Sequence, residues 1–478
     1  MPVTSATSPG VLLLLGGLGL VLVAPLAWRV ADRRFDPFEP IVIFAVAYGV
    51  MFLVRPLAMV VENDFDYVRP TATIPVVDAF PTLLAAALIG AAAFVGGYSA
   101  SLGRRIARRM APPPARFDTG RIVAIACAAA LIGVASFLAF LVFATRTVGV
   151  SGLALFFAGR SPALVEALRS APGYLNHAPM LLIPASLVLL AVGHARRDRR
   201  ISFLGAAAGL LLVLRAAPGG NRIMLLPFAG GALVYWYVTQ QRRPGPLLLV
   251  CVLATALTGS AVLLAIRDAA TRQETGVRGA VAAVLSDPAK ILAPLTRGGD
   301  TEMAPALAAV MSAIPTEIPR TWGMAVFGDL VIRPIPRALW HDKPLAPREQ
   351  VIATMWPAEY NTEGMKLANP EFSILLYFYL DFGLPGIAVG MALFGLGARV
   401  AYEYFCRFGA TSTPVRLLFS LFVPFLVIAL RDSPVDTIDK AAFIVLPLWL
   451  TFHVAATAPR SRRTATVARR LARIPQWS

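Results

Sequence analysis

Long apolar blocks constrain this chain more than any other feature. Eleven occur, at about 11–28, 38–60, 79–101, 122–144, 178–195, 201–217, 222–240, 246–266, 380–403, 414–430 and 441–457. An α-helix needs roughly 20 apolar residues to cross the hydrocarbon core of a bilayer. The blocks run continuously instead of showing the amphipathic stripe of a soluble helix, which is the pattern of membrane spans. The composition agrees: 57% of the 478 residues are hydrophobic and 15% charged, against about 25% charged in soluble domains. The expected fold is an all-α polytopic membrane protein with about eleven transmembrane helices and one large extracytoplasmic loop.

The net charge of +17 would suit nucleic acid if it were spread over one face. It falls instead in clusters between spans: Arg29, Arg33 and Arg34; Arg104 to Arg121; Arg196 to Arg200; Arg242 and Arg243; Arg399, Arg407 and Arg416; and the tail from Arg460 to Arg473. Every second loop is basic, as the positive-inside rule requires of a multi-pass chain. The alternation predicts an external N-terminus, a cytoplasmic C-terminus and no nucleic-acid partner. Cys127, Cys251 and Cys406 form no disulfide framework and read as packing residues.

The chain therefore divides into an N-terminal transmembrane region (1–266, about eight spans), an extracytoplasmic loop region with short helices (267–379), a C-terminal transmembrane region (380–457, about three spans) and a basic cytoplasmic tail (458–478). Segment 151–170 reads as an amphipathic helix on the outer interface. Val281–Leu285 and Ala304–Ala313 are short helical patterns inside the large loop.

No phosphate-binding loop, metal-ligand spacing or Gly-x-Ser-x-Gly elbow is present. The chemistry-bearing residues gather instead on the side expected to be external. Arg215 and Arg222 flank the Pro218-Gly219-Gly220-Asn221 turn. Arg320, Arg333, Arg337, His341 and Lys343 lie in the large loop, and Glu371, Asp381, Gly383 and Gly386 lead into a span. Arg431-Asp432 ends the tenth. Each has a structural alternative. Arg215 can snorkel to the interface, the loop cations can be a solvated face, Trp340 an interfacial anchor, and Glu371 and Asp381 partners for the arginines. The glycines can serve close packing. Taken together, forked guanidiniums beside apolar spans suit a pyrophosphate carried on a lipid tail.

At these residues the chain resembles the O-antigen polymerase (Wzy-type) family of oligosaccharide repeat-unit polymerases. Gly220-Asn221-Arg222 is similar to the family's Gly-x-Arg motif. Ile335-Pro336-Arg337 through Lys343-Pro344 is similar to its Pro-Arg…Lys-Pro segment. Glu371-Phe-Ser373…Tyr377…Asp381-Phe-Gly383-Leu-Pro-Gly386 is similar to its Glu-x-x-Ser…Tyr-x-Asn-Phe-Gly-x-x-Gly signature. Asp381 stands where the family usually has Asn, and eleven spans is at its low end.

The resemblance implies a cofactor-free, metal-independent glycosyltransferase of GT-C-type architecture in a bacterial cytoplasmic membrane. Its partners would be undecaprenyl-pyrophosphate-linked oligosaccharide donor and acceptor, membrane lipid and a chain-length regulator. Glu371, Asp381 or His341 would take the acceptor hydroxyl's proton. Arg215, Arg222, Arg320, Arg333, Arg337 and Arg431 would hold the pyrophosphate. An O-antigen ligase and a non-catalytic transporter of lipid-linked glycan are the alternatives.

Overall fold

The computed structural model describes residues 8–33, 35–68, 72–114, 116–149, 175, 177–216, 222–240, 245, 258–259, 262, 282, 284, 286–287, 302–333, 335, 339–361 and 372–457. Their secondary structure is almost entirely helical. The one sheet among the described residues is a two-stranded antiparallel hairpin, Asp66–Val68 with Thr73–Pro75. Among the described residues, eight helices are long and apolar enough to cross a membrane, making this an all-α membrane protein.

Five of the eight lie before the large loop: α1 (Pro9–Ala31), α2 (Pro40–Glu62), α3 (Phe80–Ser99), α5 (Thr119–Val148) and α6 (Ala178–Arg196). Between α3 and α5 runs the short basic helix α4 (Ser101–Arg109). Helix α7 (Arg199–Ala216) and the helical run α8 (222–240) coincide with the sixth and seventh expected spans. The eighth, 246–266, lies almost wholly outside the described residues, as do segment 151–170 and the tail. In the loop region are α9 (Met303–Ala313) and α10 (Pro347–Met355). The chain closes with α11 (Ile374–Phe408), α12 (Thr413–Arg431) and α13 (Pro434–Val454).

Local chemistry sets the helix ends. The carboxylate of Asp118 accepts from the amides of Gly120 and Arg121 (2.9 and 3.3 Å) to cap α5. Asp198 caps α7 through Arg200 and Ile201, so a two-residue turn closes the α6–α7 hairpin. Two boundaries differ from expectation. Helix α13 begins at Pro434, seven residues early, because the Ser433 hydroxyl accepts from the Asp436 amide (2.8 Å) and Pro434 suits a first turn. Asp436, Asp439 and Lys440 near its start are ion-paired, so the gap left between the expected spans 414–430 and 441–457 shrinks to Asp432 and Ser433. Helix α11 begins six residues early, and Ile374 to Tyr377 are buried.

The helices pack around two apolar clusters. One joins α1, α2, α3, α9 and α11. The other joins α5, α6, α7 and α13, with Met224 of α8. Helix α12 serves both, giving Leu426 and Leu430 to the first and Leu417, Leu421 and Phe425 to the second. Small residues let backbones touch: a Cβ on Gly97 of α3 would lie 2.0 Å from the Ala392 carbonyl oxygen, and one on Gly395 of α11 2.2 Å from that of Phe94. Where lipid is as apolar as a side chain, such close backbone approach drives association.

The loops that alternate in charge also alternate in space. At one end, here the basic end, Glu39 is buried and takes a bidentate pair from Arg29 (2.5 and 2.7 Å). A hydrogen bond from Tyr98 (2.9 Å) and the nearby Arg399 (3.8 Å) complete its surroundings. Arg407 donates to the Ala107 carbonyl, Asp118 N–H to that of Ala455, and Arg196 to Thr119. These contacts join the ends of α1, α3, α5, α6, α11 and α13 on one side. The β-hairpin, α9, α10 and residues 320–333 gather at the opposite, loop end.

Candidate functional site

The loop end is built around a broken helix. Helix α11 is interrupted at Gly383, whose φ of 66° and ψ of −149° are open to glycine alone. Pro385 follows and has no N–H to return to the helix. The carbonyls freed by the break find other partners. Arg320 donates to Tyr379 O (3.3 Å) and stacks over the Tyr379 ring, its guanidinium carbon 5.5 Å from the centroid. The Thr321 amide donates to Leu380 O (3.0 Å). A Cβ on Gly383 would lie 2.7 Å from Arg320 Nη1, so the glycine also makes room for the guanidinium.

Asp381 completes the clasp in the opposite sense. Its Oδ1 accepts from the Thr321 hydroxyl (2.6 Å) and the Ala325 amide (2.9 Å), and its Oδ2 from the Val326 amide (3.1 Å). Both amides belong to the π-type turn Met324–Gly328, which leads into the short helix Asp329–Ile332. A carboxylate at the start of a helical turn satisfies donors that the turn cannot. Asp381 is fully buried and carries three donors, so its geometry is that of a positioning group.

Beside the clasp lies a cavity of about 310 Å³. Ile318, Thr321, Leu345, Gln350, Val351 and Leu380 are among its walls, which are mostly apolar and, among the described residues, include no arginine.

Arg333 leaves the same segment and pairs with two acids of α13, Asp436 (2.6 Å) and Asp439 (3.1 Å). Burial works against its charge, but the two carboxylates outweigh it and hold the Arg333 pKa above its ordinary value. Burial raises the pKa of Asp329, with Arg333 opposing. Lys343 donates to the carbonyls of Arg333 and Ile335 (2.9 Å each), fastening the loop over the cluster. Asp432, buried at the end of α12, is paired with Lys440. Arg348 of α10 also acts on Asp436. The structural alternative for the loop arginines was pairing with Glu371 or Asp381; among the described residues the acids paired with Arg333 are Asp436 and Asp439. Sequence reasoning missed both, together with Lys440 and Arg348. Asp436, Asp439 and Lys440 were legible as charges at i, i+3 and i+4 opening an apolar helix, a spacing that puts them on one face.

Arg215 ends α7 at the loop end and is buried, 8% exposed. Its guanidinium carbon lies 5.4 and 5.5 Å from the rings of Phe137 and Phe140 on α5. It therefore faces protein and not lipid, as an intramembrane cation should. Arg222 opens α8, but its side chain lies outside the described residues, as do Arg337 and Glu371. His341 is exposed in the turn after Trp340, and Arg431 is partly buried beside Asp432.

The structure thus brings Arg320 to Asp381 through their shared clasp, and joins Arg333 to the ionic cluster next to it. Among the described residues, no group of three or more His, Cys, Asp or Glu could hold a metal ion. Compared with family models, curated proteins and solved structures, the chain matches none.

Proposed function

We propose that this protein polymerises polyprenyl-pyrophosphate-linked oligosaccharide repeat units at the outer face of a bacterial cytoplasmic membrane. The basic end would be cytoplasmic and the loop end external, following the arginine alternation. The observation carrying this reading is the set of arginines at the loop end, opposite the basic loops. Arg215 is buried between spans, while Arg320, Arg333 and Arg431 ring the ends of α11, α12 and α13. Cations on that side run against insertion bias, so they call for an anionic ligand or structural acids. Arg333 has structural acids. Arg215 is stacked on aromatic rings, and with Arg222 and Arg337 it is our choice for the pyrophosphate.

In the reaction, the acceptor hydroxyl oxygen attacks the anomeric carbon of the donor. The bond from that carbon to the pyrophosphate oxygen breaks, and the polyprenyl pyrophosphate departs with the electron pair. The hydroxyl proton passes to Glu371, with His341 as the alternative base. Asp381 and Arg320 shape the loop above the reaction and take no proton. An acceptor other than a second lipid-linked repeat unit would make the same chemistry that of a ligase.

The break at Gly383 favours one further reading, a transporter of the same lipid, since transporters build binding sites at broken helices. Against it, the polar groups at this break are occupied within the protein by Arg320, Thr321, Ala325 and Val326. Purified protein in liposomes, given a lipid-linked repeat unit, separates the readings. A ladder of lengthened glycans supports the polymerase. Translocation of unlengthened lipid across the bilayer supports the transporter and overturns our assignment.

A further inference from the structure

The segment clasped by Asp381 carries an apolar face that no part of the described protein covers. Trp322, Phe327 and Val331 are 73%, 67% and 71% exposed, and Met324 is exposed too. Ala325, between them, is buried. Positions 324, 327 and 331 follow helical spacing, so one face looks outward while the other is pinned to α11. Trp322 has a φ of 48°, a left-handed conformation that a bulky side chain rarely adopts. The turn holds it there nonetheless, its ring edge-on to Phe382 at 6.5 Å.

Depth along α11 says what meets this face. Between Asp381 and Arg399 lie 17 residues without a charge. From Leu384, just past the break, to Arg399 the unbroken helix rises about 23 Å at 1.5 Å per residue, most of the roughly 30 Å of a hydrocarbon core, and Asp381 lies beyond the break. Arg399 belongs to the charged network of the basic end. Asp381 therefore marks the opposite boundary, and the turn hydrogen-bonded to it lies at that level. The outward face also continues a lipid-facing flank, since Phe382, Val389 and Leu393 of α11 are 45%, 61% and 62% exposed. At its other end, Arg333 and its two acids form a polar edge.

We propose that residues 322–331 are an interfacial element seated in the leaflet at the loop end. Trp322, Met324, Phe327 and Val331 touch acyl chains, and the Arg333 cluster stays at the headgroups. Part of the region that reads as an extracytoplasmic loop is thereby membrane-embedded. Amphipathic segments of this kind bury their apolar face at the headgroup–acyl boundary, where Trp is favoured. The proposal is independent of which reaction the protein performs.

The test uses full-length protein in phosphatidylglycerol–phosphatidylcholine liposomes, with Cys127, Cys251 and Cys406 changed to Ala. A spin label is attached at F327C, V331C or, as the water reference, H341C. Collision with oxygen should exceed collision with a polar nickel chelate several-fold at 327 and 331, and the order should reverse at 341. Nickel accessibility at 327 and 331 equal to that at 341 overturns the proposal. Protection from both reagents also overturns it, because the face would then be covered by protein, such as a second copy of the chain. As a check in which Trp322 itself reports, W322F should reduce the fluorescence quenched by brominated lipid. An unchanged quenchable fraction counts against insertion.

Discussion

The hydroxyl of Thr321 lies 2.6 Å from Oδ1 of the buried Asp381, across 60 residues of chain, and donates to it. With the amides of Ala325 and Val326 on the same carboxylate, this contact fastens the loop region to the broken helix. Asp381→Ala leaves two amides and a hydroxyl without their acceptor. An orphaned buried donor costs about 1–3 kcal/mol; the Ala325 amide is buried and the other two donors partly so, and the variant should lose roughly 2 kcal/mol or more. Asp381→Asn keeps one acceptor oxygen and should lose less. Thermal unfolding of the purified proteins in detergent ranks the two, and equal stability of Asp381→Ala and wild type would rule out the clasp.

Gly383 should tolerate no side chain. Its backbone lies in a region reached by glycine alone, and a Cβ would displace Arg320 from 2.7 Å. Strain of that kind costs on the order of 1–3 kcal/mol before the lost Arg320 contact is counted. Gly383→Ala should therefore lower the melting temperature clearly, whereas Gly397→Ala, with open space around its Cβ position, should leave it near wild type. Parallel melts of the two variants check this.

The spans were legible because crossing a bilayer demands long apolar blocks, and no tertiary contact can substitute for them. The alternation of ends was legible for a related reason: arginine placement is set by insertion and does not depend on packing. The clasp was not. Asp381 was visible as an acid in a span, but its donors come from Thr321, Ala325 and Val326, and backbone amides carry no signature in a sequence. The partners of Arg333 were hidden similarly, because Asp436 and Asp439 lie a hundred residues away in a helix whose start was placed seven residues late. Glu39 drew no reading of its own at the start of the block 38–60, and only the convergence of α1, α3 and α11 makes it a buried centre.

Arg333 and Asp436 should be energetically coupled. About a third of the Arg333 side chain is exposed, so solvent screens the pair and the coupling should be about 1 kcal/mol instead of the larger value of a fully buried bridge. A double-mutant cycle of Arg333→Ala and Asp436→Asn, read by thermal unfolding, measures it. Additive losses would mean that the pair contributes nothing.

At the basic end, Glu39→Gln should be among the most damaging single changes. It strands Arg29, paired over 2.5 Å in a site where Glu39 is 5% exposed. Breaking one side of a buried pair costs roughly 3–5 kcal/mol. Glu403→Gln, which releases Arg399 at a more exposed position, should cost under about 1 kcal/mol. Chemical unfolding in mixed micelles compares them, and similar losses from the two would contradict a buried Glu39 network.

The central claim is that arginine at the loop end holds a pyrophosphate during glycan transfer. Its most direct measurement is chain lengthening by reconstituted protein supplied with a lipid-linked repeat unit, comparing wild type, Arg222→Ala, Arg222→Lys and Arg200→Ala. Arg200 is exposed at the basic end and serves as the control. The account predicts a full ladder from wild type and Arg200→Ala. Arg222→Ala, folded and inserted, should slow by roughly a hundredfold or more, as when a group stabilising developing charge is removed. Arg222→Lys should recover little, because an ammonium lacks the bidentate fork. No ladder from folded wild-type protein, or equal loss from Arg200→Ala and Arg222→Ala, would contradict it.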